Sequence, residues 1–209
     1  MGSTLSQLRA ALRVELRDED PADRRWSDAA LDQALRQALR LVEDAQPAFS
    51  AFTTSAPSPA TRRLNVSADV PPTFLWIDAV EYPVGRVPQR FRPFREESGP
   101  GLYLLIDEPP SAGEPITVWY ARGYSLDEAG SDLPAELEPA VLDGGLAVAL
   151  RGRAIETTDR LAPPETPAGY ARLGERAWER FERALRTLRV RRGRPRWGVS
   201  WDEAGPCTR

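Results

Sequence analysis

The chain has no histidine, no lysine, one cysteine and one methionine among its 209 residues. Without histidine, the commonest general base and the commonest metal ligand are both missing. The single cysteine, Cys207, rules out an internal disulfide and leaves no thiolate set for a zinc cluster. We read it as an incidental thiol. No apolar run approaches the roughly 18–20 residues that a membrane helix needs. The opening MGSTLSQLRAALRVELRDED is charged and amphipathic, without the apolar core of a signal peptide, so the chain is expected to be mature and intracellular. All 28 basic residues are arginine, which together with 20 prolines points to a GC-rich or thermophilic source.

What is present is a charge gradient. Residues 1–169 carry 17 arginines against 26 acids, whereas residues 170–196 carry 10 against 3. An acidic body therefore leads into a basic helix and tail, although the net charge is only -3.

The hydrophobic periodicity predicts helices at both ends and strands between them. Thr4 and Gln7 form a capping box ahead of Leu5, Leu8, Leu12 and Leu16. Ser27 caps a second helix whose stripe is Leu31, Leu35, Ala38, Leu39 and Val42. Trp26 and Leu31 are spaced for a hydrophobic staple, and Pro47 sets the end. SAPSPATRR reads as a linker. Strands are then expected at 62–66, 74–84, 90–95, 102–106 and 116–120, forming one small antiparallel sheet with LYLLI as its central strand. Ser98–Gly101 and Pro109–Glu114 suit hairpin connections. Helix returns over Leu133–Ile155, with Pro139 kinking or restarting it. Gly144-Gly145 either weakens its middle or admits a close neighbour. A last helix is expected from Ala168 to Val190, its stripe being Tyr170, Leu173, Ala177, Phe181, Leu185 and Leu188. The fold class is α+β: a bundle of about four helices with an inserted small antiparallel sheet and an extended C-terminal arm. The expected divisions are an N-terminal helix pair (1–50), a β-rich insert (51–125), a C-terminal helix pair completing the bundle (126–190) and an arm (191–209).

No catalytic constellation emerges. Asp18, Glu19 and Asp20 read as a solvated turn complementing the next helix N-terminus. Asp127-Glu128 and Asp202-Glu203 are neighbours on loops and do not converge as an acid/base pair must. SGPG and DGGL lack the context of a phosphate loop. The expectation is no enzyme, no cofactor and no metal.

The tail is the stronger signal. Arg172, Arg176, Arg180 and Arg183 read as a solvated helix face balanced by Glu175, Glu179 and Glu182. Arg189, Arg191, Arg192, Arg194 and Arg196 have no acidic neighbour until Asp202, and suit a carboxylate-bearing partner or a phosphate backbone. Trp197, Val199 and Trp201 alternate with Gly198 and Ser200, so an extended chain presents all three on one side. They are candidate anchors in a partner's groove or along its sheet edge, the alternative being that the tail folds back on its own body.

The stretch Arg25-Trp26-Ser27-Asp28 followed by Leu31-Asp32-Gln33-Ala34-Leu35-Arg36-Gln37-Ala38-Leu39 resembles the opening of phage head–tail connector proteins, also called adaptor or neck proteins. The resemblance spans about residues 4–47. It implies a structural virion protein, a ring of twelve copies below the portal that extends the DNA channel and offers the tail an attachment surface. It implies as partners the portal protein, tail or neck proteins and further copies of the chain. DNA would pass without specific binding, and there would be no membrane. Location would be the neck at the capsid vertex, with the host cytoplasm during assembly. Arg189, Arg191, Arg192, Arg194, Arg196, Trp197, Val199 and Trp201 would then be the portal-docking arm. The alternative reading is a nucleic-acid-binding module gripping phosphates with the basic helix and tail.

Overall fold

In the computed structural model, residues 2–57, 61–159 and 165–192 are described. They form four helices and six strands. The order is α1 (Leu5–Leu16), α2 (Asp28–Ala45), β1 (Ala48–Ser55), β2 (Arg63–Asn65), β3 (Phe74–Glu81), β4 (Phe94–Ser98), β5 (Leu102–Ile106), β6 (Pro115–Arg122), α3 (Glu138–Asp159) and α4 (Glu165–Arg192). The class is α+β, as expected. Two compact units result. The described residues of Met1–Gln46 and Ser125–Arg209 make the helical one, and Pro47–Tyr124 the β one.

The helical unit starts from local signals. The Thr4 hydroxyl accepts the Gln7 N–H at 3.3 Å, and the Gln7 amide oxygen accepts the Thr4 N–H at 2.8 Å, closing the capping box. Leu5, Leu8, Leu12 and Leu16 are all buried on one face. Arg17 then turns left-handed (φ 51°) and its N–H bonds back to the Arg13 and Val14 carbonyls, which ends α1. The Ser27 side chain caps α2, whose buried face is Leu31, Ala34, Leu35, Ala38, Leu39, Val42 and Ala45. Each such leucine taken fully out of water contributes about 1.5–3 kcal/mol before entropy is counted.

Helix α3 packs against α1, α2 and α4. It begins at Glu138 and not at Leu133. Residues 135–137 form a turn, and Pro139 falls in the first turn of the helix, where its missing N–H breaks no bond. The paired glycines have a packing reason. A Cβ on Gly144 would lie 2.7 Å from Ala38 Cβ and 2.9 Å from Phe181 Cζ, and one on Gly145 would lie 3.0 Å from Leu35 Cδ2. The helices approach here because α3 offers no side chain. Helix α4 buries Ala177, Phe181, Leu185 and Leu188. Leu173, assigned by periodicity to that stripe, is 53% exposed. Among the described residues, no helix is long and apolar enough to cross a membrane.

The β unit holds two three-stranded antiparallel sheets, ordered β1-β6-β3 and β2-β5-β4, where one sheet was expected. Leu64, Leu104 and Ile106 from one sheet share an apolar core with Ile77, Val80, Ile116 and Val118 from the other. LYLLI is central, flanked by β2 and β4, and Ser98–Gly101 does connect a hairpin, with Ser98 opposite Leu102. Strand β1 was missing from the expected set. It pairs with β6 from Ala48 opposite Arg122 to Ser55 opposite Pro115. The strand expected at 90–95 is displaced to Phe94–Ser98, and Pro109–Glu114 joins strands of different sheets rather than a hairpin.

Candidate functional site

Helix α4 carries the basic sequence that singled out the C-terminus. At about 100° per residue, its buried face centres on Phe181, and Arg172, Arg176, Arg183, Arg186 and Val190 fall near the opposite pole. All five are exposed, Val190 at 79%. They form a row about 27 Å long, interrupted by Glu179. Arg180 lies to one side and donates to Asp143 of α3 at 2.9 Å. The glutamates do not only balance arginines at helical spacing, because Glu182 accepts the Trp178 indole N–H at 2.9 Å. Arg180 and Glu182 thus each have a partner outside the expected Arg–Glu pairing along the helix.

The expected docking residues divide at the end of this helix. Arg189 is exposed on α4. The helix runs two residues past the expected Val190, so Arg191 and Arg192 belong to it. Arg194, Arg196, Trp197, Val199 and Trp201 lie outside the described residues.

The stretch that carries the family resemblance is the hub of the helical unit. Arg13 is buried near the end of α1. Its guanidinium donates to the Asp18 carboxylate, to the Trp26 carbonyl at 3.1 Å and to Asp28 Oδ1 at 2.5 Å. The Asp18 side chain is 0% exposed and also accepts the Arg25 N–H at 2.6 Å. This corrects the expected solvated turn: Glu19 and Asp20 are exposed, but Asp18 is an internal counter-ion. Arg25 reaches the Arg17 carbonyl at 2.8 Å. Trp26 is buried, donates its indole N–H to the Ala149 carbonyl at 3.2 Å and meets the Tyr170 ring edge-on at 6.0 Å. Ser27 caps α2, and Asp28 serves both Arg13 and Arg9. Its carboxyl is held below the usual carboxylate range, chiefly by the hydrogen bond from Arg13.

Of the other acidic candidates, Asp202 and Glu203 lie outside the described residues, and Asp127 and Glu128 are engaged. Asp127 lies 3.5 Å from Arg36, and Glu128 pairs with Arg9. Among the described residues, no group of three or more His, Cys, Asp or Glu side chains could hold a metal ion.

Sequence reasoning passed over the segment between β3 and β4. It holds Arg86, Val87 and Arg90 on an exposed loop beside a cleft of about 360 Å³ lined by Tyr82, Pro83, Val84, Gly85, Arg86, Glu114 and Pro115. Glu114 accepts from the Tyr82 hydroxyl and from the Ser111 N–H at 2.9 Å, and the Tyr82 bond chiefly holds its carboxyl below the usual range. The signal that could have marked this loop was present, since residues 82–95 contain four arginines and no acid.

No protein-family model matches the chain. No curated protein matches it either. Among solved structures, the chain is similar to one described as the neck of an empty gene transfer agent (GTA) particle computed with C6 symmetry. The identity is 14%, coverage is 69% of this chain and 76% of that one, and the TM-score is 0.30. It is also similar to a chain from the virion of a native GTA particle. There the identity is 17%, coverage is 73% of this chain and 78% of that one, and the TM-score is 0.29. Scores this low do not establish a shared fold.

Proposed function

We propose that the chain is a structural protein of a phage-like neck, a head–tail adaptor. It assembles as a ring, of twelve copies by the family resemblance, below the portal. There it extends the DNA channel and presents the surface on which the tail attaches. The observation that carries this reading is the stretch Arg25-Trp26-Ser27-Asp28 with the leucine helix behind it. Its residues work as one piece: Arg25 satisfies Asp18, Trp26 bonds to the carbonyl of Ala149, Ser27 caps α2 and Asp28 pairs with Arg13. A likeness in residues that jointly build a helix elbow is a likeness in architecture, which is where a structural protein would show it.

Two further observations support the reading. The acidic excess of residues 1–169 suits a wall along which DNA must slide without sticking. The arginine row of α4 leads into Arg189, Arg191 and Arg192, so the helix delivers positive charge to the start of the arm. In this reading Arg194, Arg196, Trp197, Val199 and Trp201 complete the portal-docking element.

The test is capture from nuclease-treated lysate of phage-producing cells, comparing the full chain with one ending at Val190. Portal protein identified by mass spectrometry with the full chain, and absent with the shortened one, is the expected result. Failure of both to recover any virion protein overturns the adaptor reading. The exposed arginine row also favours a second reading, in which α4 and the tail grip nucleic acid. That reading expects affinity that falls steeply with salt and disappears when Arg191, Arg192, Arg194 and Arg196 are all replaced by alanine.

A further inference from the structure

The segment Tyr82–Arg95 is basic within an otherwise acidic body, and the structure makes it a braced, projecting turn. The Tyr82 N–H donates to the Arg90 carbonyl at 3.0 Å and the Arg92 N–H to the Val80 carbonyl at 2.8 Å, an antiparallel closure that leaves residues 83–89 as the tip. Glu81 holds the tip from inside. This buried carboxylate accepts the Gly85 N–H and the Gln89 side-chain amide, each at 3.3 Å. Pro83 and Pro88 each fix one backbone angle, and Gly85 supplies a left-handed turn at φ 79°. The tip is therefore shaped before any ligand arrives, so little ordering cost attends binding.

The arginines of this segment have different duties. Arg92 is committed to the base, donating to the Tyr82 carbonyl at 3.0 Å and pairing with Glu108 at 2.7 Å. The guanidinium groups of Arg86 and Arg90 have no hydrogen-bond or ion-pair partner among the described residues. Residues 85–90 are all exposed, and Val87, between the two arginines, is 99% exposed. An apolar side chain fully in water, next to a proline and flanked by guanidinium groups, has no role in the β unit's own core.

We propose that this tip is a sequence-blind contact for double-stranded DNA. Arg86 and Arg90 engage phosphates on either side, and Val87-Pro88 presses as an apolar wedge against the minor groove. A protein partner fits the tip less well. One valine and one proline ring offer no aromatic anchor, and a stable protein interface buries about 800 Å² on each side. A duplex asks for what the tip has: guanidinium groups for phosphates, and a small apolar wedge beside arginine. The buried position of Glu81 keeps its charge off the contact surface. Glu114, in the adjoining cleft, is engaged with Tyr82 and Ser111. This proposal stands apart from the neck reading, because it rests on the β unit and not on the helix elbow or the arm.

The test is fluorescence anisotropy of the full chain with a labelled mixed-sequence duplex of about 25 base pairs over a salt series. Energy transfer between the duplex ends reads bending. Three variants are compared: Arg86→Ala with Arg90→Ala, Val87→Ser, and a tail variant with Arg191, Arg192, Arg194 and Arg196 all changed to alanine. The loop double variant is expected to lose about tenfold in affinity at low salt and to flatten the log–log salt slope by about 1.8, with unchanged thermal melting. Val87→Ser is expected to keep the slope and lose the bend. If the unaltered chain does not bind the duplex, or if the loop double variant binds as the unaltered chain does, the proposal is overturned. It is equally overturned if only the tail variant loses affinity. A Val87→Ser chain that still bends the duplex removes the wedge.

Discussion

The same substitution at two glycines of α3 should change stability in opposite directions. Glycine in a helix interior is about 1 kcal/mol less favourable than alanine, so alanine is the better residue wherever it fits. Gly152 is exposed, and nothing lies within 4 Å of where its Cβ would stand. Gly152→Ala should therefore stabilise by about 0.5–1 kcal/mol. Gly144 gains the same propensity, but the new methyl would meet Ala38 Cβ at 2.7 Å and Phe181 Cζ at 2.9 Å. Neither neighbour can yield cheaply. The Ala38 Cβ moves only with the α2 backbone, and the Phe181 ring is fully buried. Overpacking of this kind costs about 1–3 kcal/mol, and backbone contact puts this site at the upper end. The net for Gly144→Ala is a loss of about 2 kcal/mol. Thermal or urea unfolding followed by helical circular dichroism separates the two variants, because the melting temperatures should move apart by roughly 5–12 °C. If Gly144→Ala is as stable as the unaltered chain, the close approach of α2 and α4 is not what the glycine serves, and the packing argument for this helix trio fails.

Three other outcomes follow from the same physical reasoning. Asp18→Ala leaves the buried Arg13 with only the half-exposed Asp28 as counter-ion, so stability should fall by about 3 kcal/mol in urea unfolding, and a loss below about 1 kcal/mol would show the pair to be dispensable. Asp28 has a lowered folded pKa, so its contribution is present above the unfolded value of about 3.9 and is lost as pH falls through the lowered one. Melting followed across the acid range should show Asp28→Asn blunting that part of the decline. Trp26→Phe keeps most of the ring but removes the donor to the Ala149 carbonyl, and should cost about 1 kcal/mol by thermal melting without altering helix content.

What the sequence made legible depended on how local the cause was. The Thr4–Gln7 box, the Ser27 cap and the α2 stripe each arise within a few residues, and all stand where periodicity put them. LYLLI announced a central strand because it is apolar at nearly every position. Strand β1 was silent for the opposite reason. FSAFTTS contains small and polar residues, and it becomes a strand only because β6 supplies a partner 60 or more positions away along the chain. Asp18 shows the same limit in charge. Written in a row with Glu19 and Asp20 it looks solvated, yet Arg13 five residues earlier pulls this one carboxylate inward. The candidate surfaces divide along that line too. The arginine face of α4 can be read from spacing alone, because helical geometry alone sets it. The loop at Val87 required the structure, since its exposure depends on a buried Glu81 and on an antiparallel closure that no short-range pattern encodes. A basic run without acids, set inside an acidic region, was the residue of evidence left in the sequence. It marks a place where two arginines and one apolar side chain stand together in water.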